Sequence, residues 1–211
     1  MNFPQSLIDG YQTFRKEQYE PLAKRYATFA EGQNPDTLVI ACADSRVDPT
    51  TIFTAGPGEI FVMRNVAALV PPYQPDGGLH GASAGLEFAV TALNVSNIVV
   101  MGHGLCGGVN ACLSKTEGSS AGEFIDPWVE LAAPARAAVN RELPDGNPEQ
   151  RQRLGEYRTI QVSLDNIRTF PFVANRLEKG DLSLFGVWYS VYEGDLRLLD
   201  PDTGDFNLLD A

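Results

Sequence analysis

Three short apolar runs, LVIACA (38–43), IFVM (60–63) and NIVVM (97–101), are set apart by stretches long enough to hold a helix, and this pattern limits the fold most. Each run has the length of a strand and is apolar at successive rather than alternate positions, as expected of a strand covered on both faces. GASAGLEFAVTAL (81–93) has the small and apolar residues of a buried helix, and HGLCGGVNACL (103–113) turns through glycines into another. Strand, crossover, strand, helix, strand, helix predicts an α/β fold with a parallel sheet flanked by helices. Asp126-Pro127 reads as a helix N-cap followed by proline, and Asn147-Pro148-Glu149 repeats that signal before a helix to about residue 168. LSLFGVWYSV (182–191), the turn EGD and LRLLD (196–200) predict a closing hairpin, antiparallel to part of the sheet.

The first thirty residues follow a different rule. Leu7, Tyr11, Phe14, Leu22, Tyr26 and Phe29 recur at helical spacings among charges, and Pro21 stands where a second helix could begin. Two short amphipathic helices are expected, their apolar face covered either by the chain's own core or by a partner subunit. With no internal repeat and no long linker, one domain over 1–211 with a helical arm over 1–32 is the simplest organisation.

A formal net charge of -11 argues against nucleic acid and anionic membrane surfaces as partners. The apolar runs fall short of a membrane span and the N-terminus lacks the pattern of a secretory signal, so a cytoplasmic protein is expected. In that setting three cysteines, an odd number, favour free thiols or metal ligands over a disulfide framework.

Cys42 ends the first apolar run and His103 follows the third. In open parallel sheets ligands gather beyond the carboxyl ends of the strands, so the two can meet there if their strands are neighbours. Cys106, three residues past His103, can join the same ion through a tight turn eased by Gly104, Gly107 and Gly108. Taken singly, each cysteine is better read as core. Taken together, two thiolates and an imidazole suit Zn2+ and leave one coordination position open, the mark of a catalytic site. Cys112 remains a buried helix thiol. Asp44 leaves the strand end on the same side as Cys42, where it can be a fourth ligand or can accept a hydrogen bond from water at the open position. Arg46, two residues on, can hold that carboxylate off the metal.

CADSRV (42–47), VMRNVA (62–67) and VSNIVVMGHGLCGGV (95–109) resemble the β-class carbonic anhydrases, with an alignable pattern from about Gln33 to Gly108. A looser likeness continues in VSLDNIRTFPFV (162–173) and to the C-terminus. The resemblance implies zinc held by Cys42, His103 and Cys106, with Asp44 and Arg46 as the catalytic dyad. It also implies a parallel sheet of about four strands with an antiparallel strand at its edge. The assembly implied is a homodimer, or a dimer of dimers, with N-terminal helices embracing the neighbour. The reaction implied is reversible hydration of carbon dioxide to bicarbonate and a proton by hydroxide generated on zinc. Val39 stands where a bicarbonate-inhibited variant of the family carries tryptophan, and Gln33 where the open variant carries a glutamine reaching substrate across the dimer interface. The open variant is therefore expected. The substrate pocket implied comprises Gln33, Phe61, Val66, Phe88 and Gly104, although Phe88 stands where the open variant often has tyrosine. With His103 on the metal, His80 is the remaining imidazole; it is better read as a polar loop residue ahead of a helix than as a proton shuttle, a role that buffer or water can fill. Hydrolysis of carbonyl sulfide or carbon disulfide on the same fold is an alternative. A non-catalytic zinc or thiol-redox module, its site closed by Asp44, is another.

Overall fold

In the computed structural model, which describes residues 3–116 and 118–209, the polypeptide separates into units of residues 1–34 and 35–211. The first unit holds α1 (Gln5–Phe14) and α2 (Ala23–Phe29), joined by a π-helical turn over Arg15–Tyr19 and a 3-10 turn over Glu20–Leu22. Pro21 lies in the 3-10 turn, where its missing N–H costs nothing. The expected apolar residues form an aromatic ladder, with Phe14 edge-on to Tyr26 at 6.3 Å and Tyr19 against Tyr26 at 4.9 Å. No residue from α1 through α2 is buried.

In chain order the second unit contains β1 (Thr37–Cys42), α3 (Pro49–Ile52), β2 (Ile60–Asn65), α4 (Gly81–Glu87), β3 (Asn97–His103), α5 (Gly107–Leu113), α6 (Ile125–Val129) and α7 (Ala133–Glu142). It closes with α8 (Pro148–Arg168), α9 (Pro171–Lys179), β4 (Ser183–Tyr189), β5 (Leu196–Leu199) and β6 (Phe206–Leu208). The sheet runs β2-β1-β3-β4-β5-β6. Its first four strands are mutually parallel, β5 runs antiparallel to β4, and β6 antiparallel to β5. The expected α/β architecture is present, extended by β6, which the sequence reading did not anticipate.

The unbroken apolar character of β1 now has its cause. Leu38 and Ile40 enter a core with Leu86, Ile98, Val100 and Ile160, whereas Val39 and Ala41 enter a second core with Met101, Val109 and Val129. Alternate side chains point to opposite faces, and both faces of this central strand are covered. The longest helix, α8, begins with a capping box in which Asn147 accepts from the Gln150 N–H and Gln150 reaches back to the Asn147 N–H. Its buried stripe, including Gly155, Glu156, Thr159, Ile160, Ser163 and Leu164, packs across β3 and β4.

Two local expectations are corrected. Asp126 does not cap α6, which already includes Ile125; its carboxylate instead accepts from the Ser120 hydroxyl and the Ala121 N–H, closing the preceding loop. The segment 81–93 is helical but buried on one side only: α4 widens into a π turn over Phe88–Ala92, and Phe88 is 47% exposed. Among the described residues no helix is long and apolar enough to cross a membrane.

Candidate metal centre

β1 and β3 are parallel neighbours with Ala41 opposite Met101, so Cys42 and His103 leave adjacent strand ends in the same direction. The chain then turns sharply through Leu105, at φ 59°, and returns Cys106 to the same point. The ligating atoms of Cys42, His103 and Cys106 lie within 4.8 Å of one another, and all three residues are buried. The sulfurs are 4.0 Å apart. Two thiolates bound to one tetrahedral zinc at about 2.3 Å each would lie roughly 3.8 Å apart.

The imidazole points to the same use. His103 Nδ1 donates to the Gly104 carbonyl at 2.9 Å, which leaves Nε2 as an acceptor, buried and without a hydrogen-bond partner. A cation is what such an orphaned nitrogen beside two sulfurs accommodates. Without an ion, the sulfurs share one charge. The contact between them holds the Cys42 thiol below its usual range, while the same contact and burial push the Cys106 thiol above it. The donor set fits zinc, which would displace the shared proton.

Asp44 stands at the rim of this group, with Oδ2 4.0 Å from His103 Nε2. Arg46 grips it in a fork: Nε donates to Oδ1 at 2.9 Å, Nη2 to Oδ2 at 2.7 Å, and the Arg46 backbone N–H to Oδ1 at 3.0 Å. These hydrogen bonds hold Asp44 well below the usual carboxylate range. Both carboxylate oxygens of Asp44 are thus engaged by Arg46.

Residues 37–196 match the carbonic anhydrase family. The chain is also 36% identical over 196 residues to Beta carbonic anhydrase 3 of Arabidopsis thaliana, spanning 92% of this chain and 75% of that one. This chain belongs to the β-class carbonic anhydrases. Among solved structures, it is similar to the β-carbonic anhydrase CcaA, with 32% identity, coverage of 97% and 98% of the two chains, and a TM-score of 0.92. It is also similar to β-carbonic anhydrases of Sordaria macrospora described as tetrameric, with 27% identity, coverage of 92% of each chain and a TM-score of 0.74.

Other residues of this carbonic anhydrase expected at the pocket are distributed unevenly. Val66 lies against the metal-site core, and a cavity of about 620 Å³ opens beside it between Met63, Arg64, Gly81 and Trp128. Gly104 belongs to the ligand turn: its N–H donates to the Tyr189 carbonyl and its own carbonyl accepts from His103. Phe61 and Phe88 pack together with ring centres 5.8 Å apart. Phe61 pairs with Leu38, four positions before the Cys42–Asn65 pair, hence about 13 Å along the strand from its own chain's ligand end. Gln33 is exposed in the N-terminal unit. His80 is bound to Asp76 at 2.6 Å in the segment ahead of α4, and Cys112 is buried with its thiol pushed up by burial.

Sequence reasoning assigned no role to the groups that hold the site together. Arg64 donates through Nε to the Cys42 carbonyl at 2.9 Å, through Nη2 to the Asp44 carbonyl at 2.7 Å and through Nη1 to Asp48 at 2.8 Å. It thereby fixes the course of the dyad loop. Asp48 in turn caps α3 through the N–H groups of Thr50 and Thr51. Behind Cys106, Gln152 and the buried Glu156 reach its peptide from α8. An arginine in an apolar run and an acid on the buried stripe of a helix were the available signals, since each must find partners when removed from water.

Proposed function

We propose that this chain hydrates carbon dioxide reversibly to bicarbonate and a proton, with zinc held by Cys42, His103 and Cys106 and with Asp44 and Arg46 as the dyad beside it. The observation that carries the reading is the combination of three converging donors with an aspartate restrained by arginine, which leaves one coordination position for water. Zinc in such a site lowers the pKa of a water toward about 7 and so supplies hydroxide near neutral pH. Asp44, kept ionised by Arg46, is an acceptor only. With zinc bound, it would accept a hydrogen bond from a water at the open position and so orient that water's free lone pair toward the incoming carbon. Arg46 in this role prevents the carboxylate from swinging onto the metal. Val66 presents an apolar wall suited to an uncharged gas, and the released proton passes to solvent or buffer.

Gln33, Phe61 and Phe88 are assigned to the pocket of a neighbouring subunit. The distance of Phe61 from its own ligand end and the half-exposed ring of Phe88 support that assignment. The aromatic ladder of α1 and α2, with no buried residue in either helix, supports a homodimer in which this arm lies on the partner, and the tetrameric relatives support a dimer of dimers. Three unpaired cysteines fit a reducing cytoplasm. Stopped-flow hydration of carbon dioxide on metal-quantified protein tests the function: turnover proportional to bound zinc is expected, and zinc-loaded protein without hydration would refute it.

A further inference from the structure

We propose that Gln152 and Glu156 form a peptide clamp that sets the aim of the Cys106 sulfur, making them positioning residues for the metal centre. The inference rests on the reading of Cys42, His103 and Cys106 as zinc ligands. Residues four apart on a helix stand one above the other on the same face. Here that face holds one residue, Cys106, by the two peptide groups that flank its Cα. Glu156 Oε1 accepts from the Cys106 N–H at 3.1 Å, and Gln152 Nε2 donates to the Cys106 carbonyl at 3.0 Å. The jaws are also joined to each other, since Gln152 Nε2 donates to Glu156 Oε1 at 2.8 Å.

Glu156 is itself locked. Trp188 Nε1 donates to its Oε2 at 2.9 Å, so both carboxylate oxygens face donors, and the residue is only 2% exposed. A carboxylate that meets only donors is the form that fits. The approach of the two helices is equally specific. A Cβ on Gly155 would lie 2.6 Å from Leu113 Cδ1, so the absence of a side chain there lets α8 close on α5, the helix that Cys106 caps.

Such a grip has a purpose at this place. The turn before Cys106 contains Leu105 in the left-handed region, and Cys106 itself is extended, at φ -69° and ψ 117°. A turn of this kind has alternative arrangements, and in each the Cα–Cβ bond of Cys106 points differently. Binding both the N–H and the C=O of the cysteine fixes its peptide planes and thus the direction of the sulfur, while leaving the sulfur's lone pairs to the ion. Gln152 and Glu156 do not touch the reacting atoms; they act through Cys106.

The test compares Gln152→Ala and Glu156→Gln with Asn166→Ala. Asn166 lies on the same helix and donates to the Val70 carbonyl at 2.8 Å, away from the ligand turn. Zinc loss to excess chelator and the absorption of the cobalt-substituted protein are measured for each, together with Tm. In both clamp variants we expect zinc loss faster by roughly 10- to 100-fold, the range seen when groups supporting a ligand are removed. Their thiolate-to-cobalt bands should also shift. Asn166→Ala should lower Tm while leaving both metal readouts at parental values. Gln152 is partly exposed, so Gln152→Ala carries the test if Glu156→Gln does not fold. Parental zinc loss and spectra in Gln152→Ala, or zinc loss that tracks Tm across all variants, would overturn the clamp. A parent chain that binds no zinc would instead overturn the metal centre, and the clamp with it.

Discussion

Replacing Gly108 by alanine should strain the contact on which the metal site is built. A Cβ at 108 would lie 2.6 Å from Val66 Cγ1 and 3.0 Å from Ala67 Cβ, where ordinary contact begins at about 3.4 Å. Neither neighbour yields easily. Val66 is branched at Cβ and restricted in rotamer, and Ala67 has no side-chain torsion to relieve the contact and sits in the left-handed region at φ 65°. The first turn of α5 or the 66–68 segment must therefore move by something under an ångström. Inserting one carbon into packed surroundings costs about 1 to 3 kcal/mol. For a chain of this size, each kcal/mol lowers Tm by about 2 to 4 °C, so a fall of about 2 to 12 °C is expected in thermal denaturation. Because Cys106 caps α5, zinc loss should also accelerate. Adding Val66→Ala removes the closer of the two clashes, so the double variant should be more stable than the sum of the single effects. Unchanged Tm and zinc retention in Gly108→Ala would refute this packing of α5 against the Val66 segment.

Cys42→Ser, His103→Ala and Cys106→Ser should each lose zinc and hydration together, whereas Asp44→Asn should keep zinc and lose turnover; metal analysis alongside stopped-flow rates separates the two behaviours. Deleting residues 1–34 should impair dimerisation, as read by light scattering, and an active dimer formed without them would contradict the arm's role. Glu130, held by Arg136 and Lys115, has its pKa lowered from 4.5 to about 2. A depressed carboxylate stabilises the fold above its unfolded pKa, and that contribution is lost as pH falls through the folded value. The Tm advantage of the parent over Glu130→Gln should thus be constant above about pH 5 and shrink between pH 4.5 and 2. A constant difference down to pH 2 would rule out this linkage. The effect should be small, because the Glu130 side chain is 41% exposed.

The parts of this molecule legible in its sequence are those whose cause is local. Leu38 to Cys42 read as a strand because both faces of β1 are covered, and Asn147-Pro148-Glu149 reads as a helix start because the cap and the proline after it are neighbours in sequence. The metal group was legible because strand ends concentrate ligands and a His-x-x-Cys turn is short. What stayed hidden depends on distant partners. Glu156 looks like any helix acid until the peptide of Cys106, 50 residues away, is seen against it. Arg64 likewise acquires meaning from three carbonyl and carboxylate groups on another segment. β6 is three residues long and owes its strand character to β5 and to Phe206 stacking on Tyr157 at 4.3 Å. At Gly104 the packing was equally hidden: a Cβ there would face Trp188, 84 residues on, at 3.0 Å.

X-ray absorption at the zinc edge, on the parent chain and on Asp44→Asn, tests the centre most directly. Two sulfur scatterers at about 2.3 Å, one imidazole nitrogen and one further light atom are expected, with the shell unchanged by the substitution. A shell lacking two sulfurs, or one that loses its light atom when Asp44 is replaced, would contradict a three-ligand site kept open by the Asp44–Arg46 pair.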